Sequence, residues 1–178
     1  MSAGVGFSTE RFVATASGFV AGLEVAQRAE MRDLQGVLAG YMGVAPGDAW
    51  SVALVQRCGF LSHYDAATAD DLGAYGRARG LLRRDAQVGD ILLQYSPVAR
   101  SFVRAGVVAA ILGHGHWTRR RHYVEVLSIE GDRGPRGEAG GTHAVRMKRQ
   151  LSAANGDRFL RWTADDPRDG RRVFREPR

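Results

Sequence analysis

Apolar positions recur at helical spacing in the first third of the chain and alternate with polar ones after residue 87. Over residues 9–41, Phe12, Phe19, Leu23 and Ala26 fall at roughly helical intervals, as do Leu34, Val37, Leu38 and Tyr41, which predicts helix in two pieces. Ser8 or Thr9 can cap its start. Gly18, Gly22, Gly36 and Gly40 each weaken such a helix by up to ~1 kcal/mol relative to alanine, so a break or a close packing contact is expected there. Residues 43–48 read as a loop in which Asp48 is placed to cap the next helix, at 50–59. Val52, Leu54, Val55 and Cys58 supply its apolar faces and Gly59 its stop. Residues 65–82 have the composition of one or two short helices, firmest over 69–75.

The texture then changes. A turn at 88–90 leads into a strand ending near Tyr95, with further strands expected at 106–112, 123–129, 143–147 and 159–162. Residues 96–103 begin with Ser-Pro and read as a loop, 113–121 as a connection or hairpin tip, and 131–141 as a glycine-rich loop. Residues 163–178, rich in Asp, Arg and Pro, read as a tail draped on the surface. Helices first and an antiparallel meander after them make an α+β plan.

A chain of 178 residues suits one compact domain, and an apolar fraction of 44% with scattered charges is that of a globular protein. The formal charge is +6, carried almost entirely by arginine, with Lys148 the one lysine. Such a surface suits nucleic acid, an anionic cell envelope or an acidic protein partner, and charge alone does not choose among them. One cysteine, Cys58, excludes an intramolecular disulfide framework and a multi-cysteine zinc site. No run approaches the ~20 apolar residues of a membrane span. The apolar run 12–23 follows Glu10-Arg11 and is interrupted by Gly18 and Gly22, which does not fit a secretory signal. An envelope-facing role would then need another route, such as lysis or carriage in a larger particle.

Four segments carry a resemblance. Leu38-Ala39-Gly40-Tyr41-Met42-Gly43 followed by Gly47-Asp48-Ala49-Trp50-Ser51-Val52-Ala53-Leu54-Val55 is similar to the lead-in loop and nucleophile helix of the NlpC/P60 and CHAP superfamily of cell-wall peptidases and amidases. Val88-Gly89-Asp90-Ile91-Leu92-Leu93 resembles that superfamily's Pro-Gly-Asp-Ile-Val strand. Arg104-Ala105-Gly106-Val107-Val108 resembles the His-Val-Gly-Ile-Val strand that carries its histidine, and Ser128-Ile129-Glu130-Gly131-Asp132 its Ile-Glu-Gly-Asn segment. Each match is short; their shared order, spacing and element types carry the resemblance, which covers about 34–162. It implies a papain-like fold with a nucleophile helix packed on a small antiparallel sheet. It also implies a division into an N-terminal helical extension (1–33), the domain (34–162) and a tail (163–178).

The departures fall on the chemistry. Where the family has cysteine, histidine and a third polar residue, this chain has Ser51, Arg104 and Asp132. A serine hydroxyl needs a base within hydrogen-bond reach, and an arginine stays protonated and cannot be that base. The resemblance therefore implies a domain that has lost catalysis and serves as a peptidoglycan-binding or assembly module, for instance in a phage tail. Its partners would be a peptidoglycan stem peptide or other proteins of the assembly, and Trp50, Asp90 and Glu130 its candidate ligand-binding residues. Two other readings stay open: an active hydrolase using Ser51 with a base from elsewhere, and a nucleic-acid-binding protein using Arg119, Arg120 and Arg121 beside Trp117 and Tyr123. His114, His116 and His122 lack a carboxylate or cysteine pattern and read as an exposed tip; no metal or cofactor is expected. His63 and His143 have no spacing argument.

Overall fold

The computed structural model describes residues 9–28, 51–58, 66, 68–118, 121–133 and 143–161. Among the described residues three helices precede the sheet: α1 (Thr9–Arg28), α2 (Ser51–Cys58) and α3 (Ala69–Ala78). Helix α1 runs unbroken through Gly18 and Gly22, and a Cβ at Gly18 would meet nothing within 4 Å, so that glycine marks neither a break nor a tight contact. The buried stripe of α1 is Phe12, Ala16 and Val20, one residue per turn, with Val13 and Phe19 flanking it. Residues 29–50, where the second helical piece and the Asp48 loop are expected, lie outside the described residues.

Helix α3 is shorter than the expected 65–82 segment because both ends are fixed locally. Thr68 caps its start in a capping box: the Thr68 hydroxyl accepts from the Asp71 N–H and the Asp71 carboxylate accepts from the Thr68 N–H. At the other end Gly80 takes a left-handed conformation (φ 65°), Leu81 N–H donates to the Gly76 carbonyl and Gly80 N–H to that of Arg77. That pair of bonds closes the helix and turns the chain into a strand. On its packed face, Gly73 lies directly against the Phe102 ring, and the Asp70 carboxylate accepts from the Phe102 N–H at 3.1 Å.

The strands are β1 (Leu82–Arg83), β2 (Ile91–Ser96), β3 (Ser101–Thr118), β4 (Arg121–Arg133), β5 (His143–Leu151) and β6 (Arg158–Leu160), with a short 3-10 turn, Ala153–Asn155, before the last. They form one antiparallel sheet in the order β1-β6-β2-β3-β4-β5. The architecture is α+β, as the pattern of the chain predicts. The turn into β2 needs Gly89 at φ 86°, with its N–H donating to the Val108 carbonyl and its α-carbon against Thr9 of α1.

Three expectations are corrected. The stretch 96–103 is not a long loop: residues 97–100 turn tightly and β3 begins at Ser101. Residues 113–118 are not a tip but the continuation of β3, paired with β4 out to Thr118 opposite Arg121. Glycine and histidine discourage a strand locally, yet cross-strand pairing with β4 overrides that preference. Likewise residues 131–133, expected in the glycine-rich loop, extend β4.

The sheet is rolled. Alternation sends Ile91, Leu93, Ala105, Val107, Ile129 and Leu160 to the face covered by the helices, in one core with Phe12, Ala16, Val20, Val52, Leu54, Val55 and Leu72. Helix α1 therefore contributes to the same core as α2 and α3. Leu92, Val108, Val124, Val126, Leu151 and Phe159 cluster on the other face. Among the described residues no helix covers them; the sheet does so itself. Breaks of register in β3 at Val108/Ala110 and Ile111/Gly113 bend the long β3–β4 hairpin over. The six residues from Ser152 to Asp157 join β5 at one edge to β6 beyond β2, about 19 Å away in a flat sheet at the usual strand spacing. That loop contains a 3-10 turn, yet the Ser152 hydroxyl donates to the His122 carbonyl at the start of β4, and Asp157 accepts from the Tyr95 N–H in β2. Those two strands pair with opposite ends of β3, so only a strongly curled sheet brings them to one loop.

Candidate functional site

Ser51 opens α2 and is half-buried; Val52, Ala53, Leu54 and Val55 after it are all buried. The helix is wedged among α1, β3 and β4 and tied to the segment before α3 by a hydrogen bond from the Gln56 side-chain amide to the Ala66 carbonyl (3.0 Å). Packing on several sides, not amphipathic patterning, holds it in place. Trp50 and His63 lie outside the described residues, as does the Cys58 side chain.

Arg104 is half-buried in β3 opposite Gln94 of β2. Alternation places it on the inner face of the roll with Gly106 and Val108, whereas Ala105 and Val107 face α2. A Cβ at Gly106 would lie 2.9 Å from Glu130 Cγ and 3.0 Å from the Ile129 carbonyl oxygen, so the glycine makes room for Glu130. Glu130 is 1% exposed. Arg149 of β5 grips it with two prongs, Nε to Oε1 at 2.7 Å and Nη2 to Oε2 at 2.8 Å, and the Ser128 hydroxyl donates to Oε1 at 2.8 Å. The same hydroxyl lies 3.2 Å from the Met147 carbonyl, and its single proton serves one acceptor at a time. The bond to Glu130 raises the Arg149 pKa further, against the opposing effect of burial. Held this way, Glu130 is a fixed anion whose charge is spent on its own chain. The Asp132 side chain lies outside the described residues; its backbone continues β4.

Asp90 is buried at the turn into β2 and is equally occupied. Arg161, just after β6, donates from Nε to Oδ1 (3.0 Å) and from Nη2 to Oδ2 (2.9 Å), and the Gln87 N–H donates to Oδ2 (2.8 Å). Burial outweighs these contacts and raises the Asp90 pKa above its ordinary value. Arg161 also reaches Asp85, whose pKa it lowers. Asp157, accepting from the Ser152 and Tyr95 N–H groups, is raised chiefly by burial. Asp90 and Asp157 thus fasten the β6 end of the sheet to β2.

Away from these groups, the far end of the β3–β4 hairpin carries an exposed aromatic surface. Trp117 stacks on Tyr123 with ring centroids 5.2 Å apart, and its indole N–H donates to Gln150 Oε1 at 3.2 Å. His116 and His122 meet edge to face across the two strands at 4.3 Å, with His114 exposed nearby. Arg119 and Arg120 and the Arg121 side chain lie outside the described residues. His143, at the start of β5, has its Nδ1 buried without a hydrogen-bond partner among the described residues. Among those residues no group of three His, Cys, Asp or Glu side chains is arranged to hold a metal ion, and no helix is long and apolar enough to cross a membrane.

No family model, curated protein or solved structure matches this chain. The site is accordingly read from its own geometry. Four residues that organise it were missed in the sequence: Arg149, Arg161, Ser152 and Asp157. Arg149 lies 19 positions from Glu130 and Arg161 lies 71 from Asp90, separations that carry no local pattern. Arg149 breaks the alternation of Arg146 and Lys148 and so falls on the opposite face of β5, which was a usable signal, but its register against β4 was needed to pair it.

Proposed function

We propose that this chain is a catalytically degenerate NlpC/P60–CHAP-like domain of papain-like fold, acting as a peptidoglycan-binding or assembly module, for instance within a phage tail or related particle. The observation that carries the reading is the state of the polar groups along the matched segments. Glu130, on the inner face that Arg104 shares, is locked to Arg149 and Ser128, and Asp90 is locked to Arg161. Arg104 is a permanent cation in a position where the resemblance requires a base. Ser51 retains the place of a nucleophile on the first turn of α2, supported by a packed helix, without the thiol. Carboxylates committed to structural arginines, and an arginine in place of the base on the sheet face turned away from α2, fit binding better than turnover.

The test is incubation of the full chain with purified, insoluble peptidoglycan, followed by sedimentation and analysis of the supernatant. The expected result is co-sedimentation with no soluble peptide released. Release of peptide that is abolished by Ser51→Ala overturns the proposal and favours a serine hydrolase with a base from elsewhere in the chain.

A further inference from the structure

The Trp117 surface lies far along the hairpin from the polar positions discussed above and is built in a way that scaffold packing does not require. Tyr123 lies flat over Gly115, whose lack of a side chain is what admits the ring. Trp117 stacks on Tyr123, and its indole edge is tied to Gln150 of β5. Gln150 in turn donates to Glu125 (3.1 Å), and Glu125 is paired with Lys148. An aromatic ring anchored below and at its edge, and still 42% exposed, is a preorganised stacking surface.

The surrounding charge is one-sided. From Ile91 to Val124 the sequence contains no Asp or Glu, so β3 and the start of β4 bring no carboxylate to the ring stack before Glu125. Glu125, the carboxylate beside the ring stack, is already neutralised by Lys148. Along β5, Arg146 and Lys148 are exposed and two residues apart, on the face that Gln150 shares. With Lys148 spent on Glu125, Arg146 is the exposed cation that β5 offers to a phosphate.

We propose that Trp117, Tyr123 and Arg146 form a binding site for single-stranded nucleic acid, with a base stacked on Trp117 and the phosphate backbone reaching Arg146 along β5. Single strands fit better than a duplex because the exposed ring needs an unpaired base to stack on, and stacking accepts any base. The site is independent of the peptidoglycan reading.

Fluorescence anisotropy of a labelled single-stranded oligothymidylate, titrated with the full chain at low and moderate salt, tests it. The expected result is binding that weakens steeply with salt and falls roughly 10- to 100-fold in Trp117→Ala, with most of the loss recovered in Trp117→Phe. Replacing Arg146 by glutamine is expected to flatten the salt slope by about 0.7, from one lost phosphate contact on a single strand. Urea unfolding of each variant establishes that it is folded. No binding at low salt overturns the proposal. So does binding unchanged in Trp117→Ala, or equal affinity for heparin or for a duplex of the same length, since each means charge acts without stacking.

Discussion

Glu130 and Arg149 illustrate what single residues do here. The carboxylate is buried at 1% exposure with both oxygens engaged, so removing its partner strands a charge inside the roll. Arg149→Met is expected to cost about 3–5 kcal/mol in urea unfolding, and the double replacement Glu130→Leu with Arg149→Met to recover most of that loss. A loss below 1 kcal/mol in the single variant would mean that water reaches Glu130. Asp157 makes a prediction of opposite character. Burial raises its folded pKa above 3.8, so the native state takes up a proton more readily than the unfolded chain. Its contribution to stability is therefore complete below the unfolded pKa and is lost as pH rises through the raised folded value. Relative to Asp157→Asn, the wild type should lose ground in urea midpoint as pH is raised through the carboxylate range; a gain over that range contradicts the assignment. Asp85, lowered by Arg161, acts in the reverse sense but from an exposed position.

At the scale of elements, two glycines separate helix propensity from packing. Gly18 of α1 has open space around it, and Gly18→Ala is expected to stabilise by about 0.5–1 kcal/mol. Gly73 of α3 is pressed against Phe102, so Gly73→Ala gains the same propensity but drives a methyl into a buried ring; a net loss of about 1–2 kcal/mol follows. Urea midpoints moving in opposite directions check both. The elements themselves were largely legible: α2 from its apolar faces, α3 from composition alone, and β2 from a Gly-Asp turn before an apolar run. β3 was legible only over 106–112, because Gly113, His114, Gly115 and His116 argue locally for a turn. The reason they form a strand, the pairing with β4 and the accommodation of Tyr123 over Gly115, is non-local. The same holds for β6, whose place between β1 and β2 depends on a curl that no single segment encodes.

The described residues form a rolled antiparallel sheet with helices on one face and its own hairpin closing the other. That arrangement explains why the candidate site was only half readable: Ser51, Arg104, Asp90 and Glu130 stand out as residue types, but the arginines that satisfy the two carboxylates come from β5 and from the end of β6. The roll also separates two surfaces, the α2–sheet region and the aromatic hairpin end, which are free to serve different ligands. The central claim, that the α2–sheet region binds cell wall without cleaving it, is met most directly by one measurement. Wild type and Ser51→Ala are each incubated with insoluble peptidoglycan, and bound protein and released peptide are quantified together. The account predicts equal co-sedimentation of the two proteins and no peptide released by either. Peptide released by the wild type and not by Ser51→Ala contradicts it.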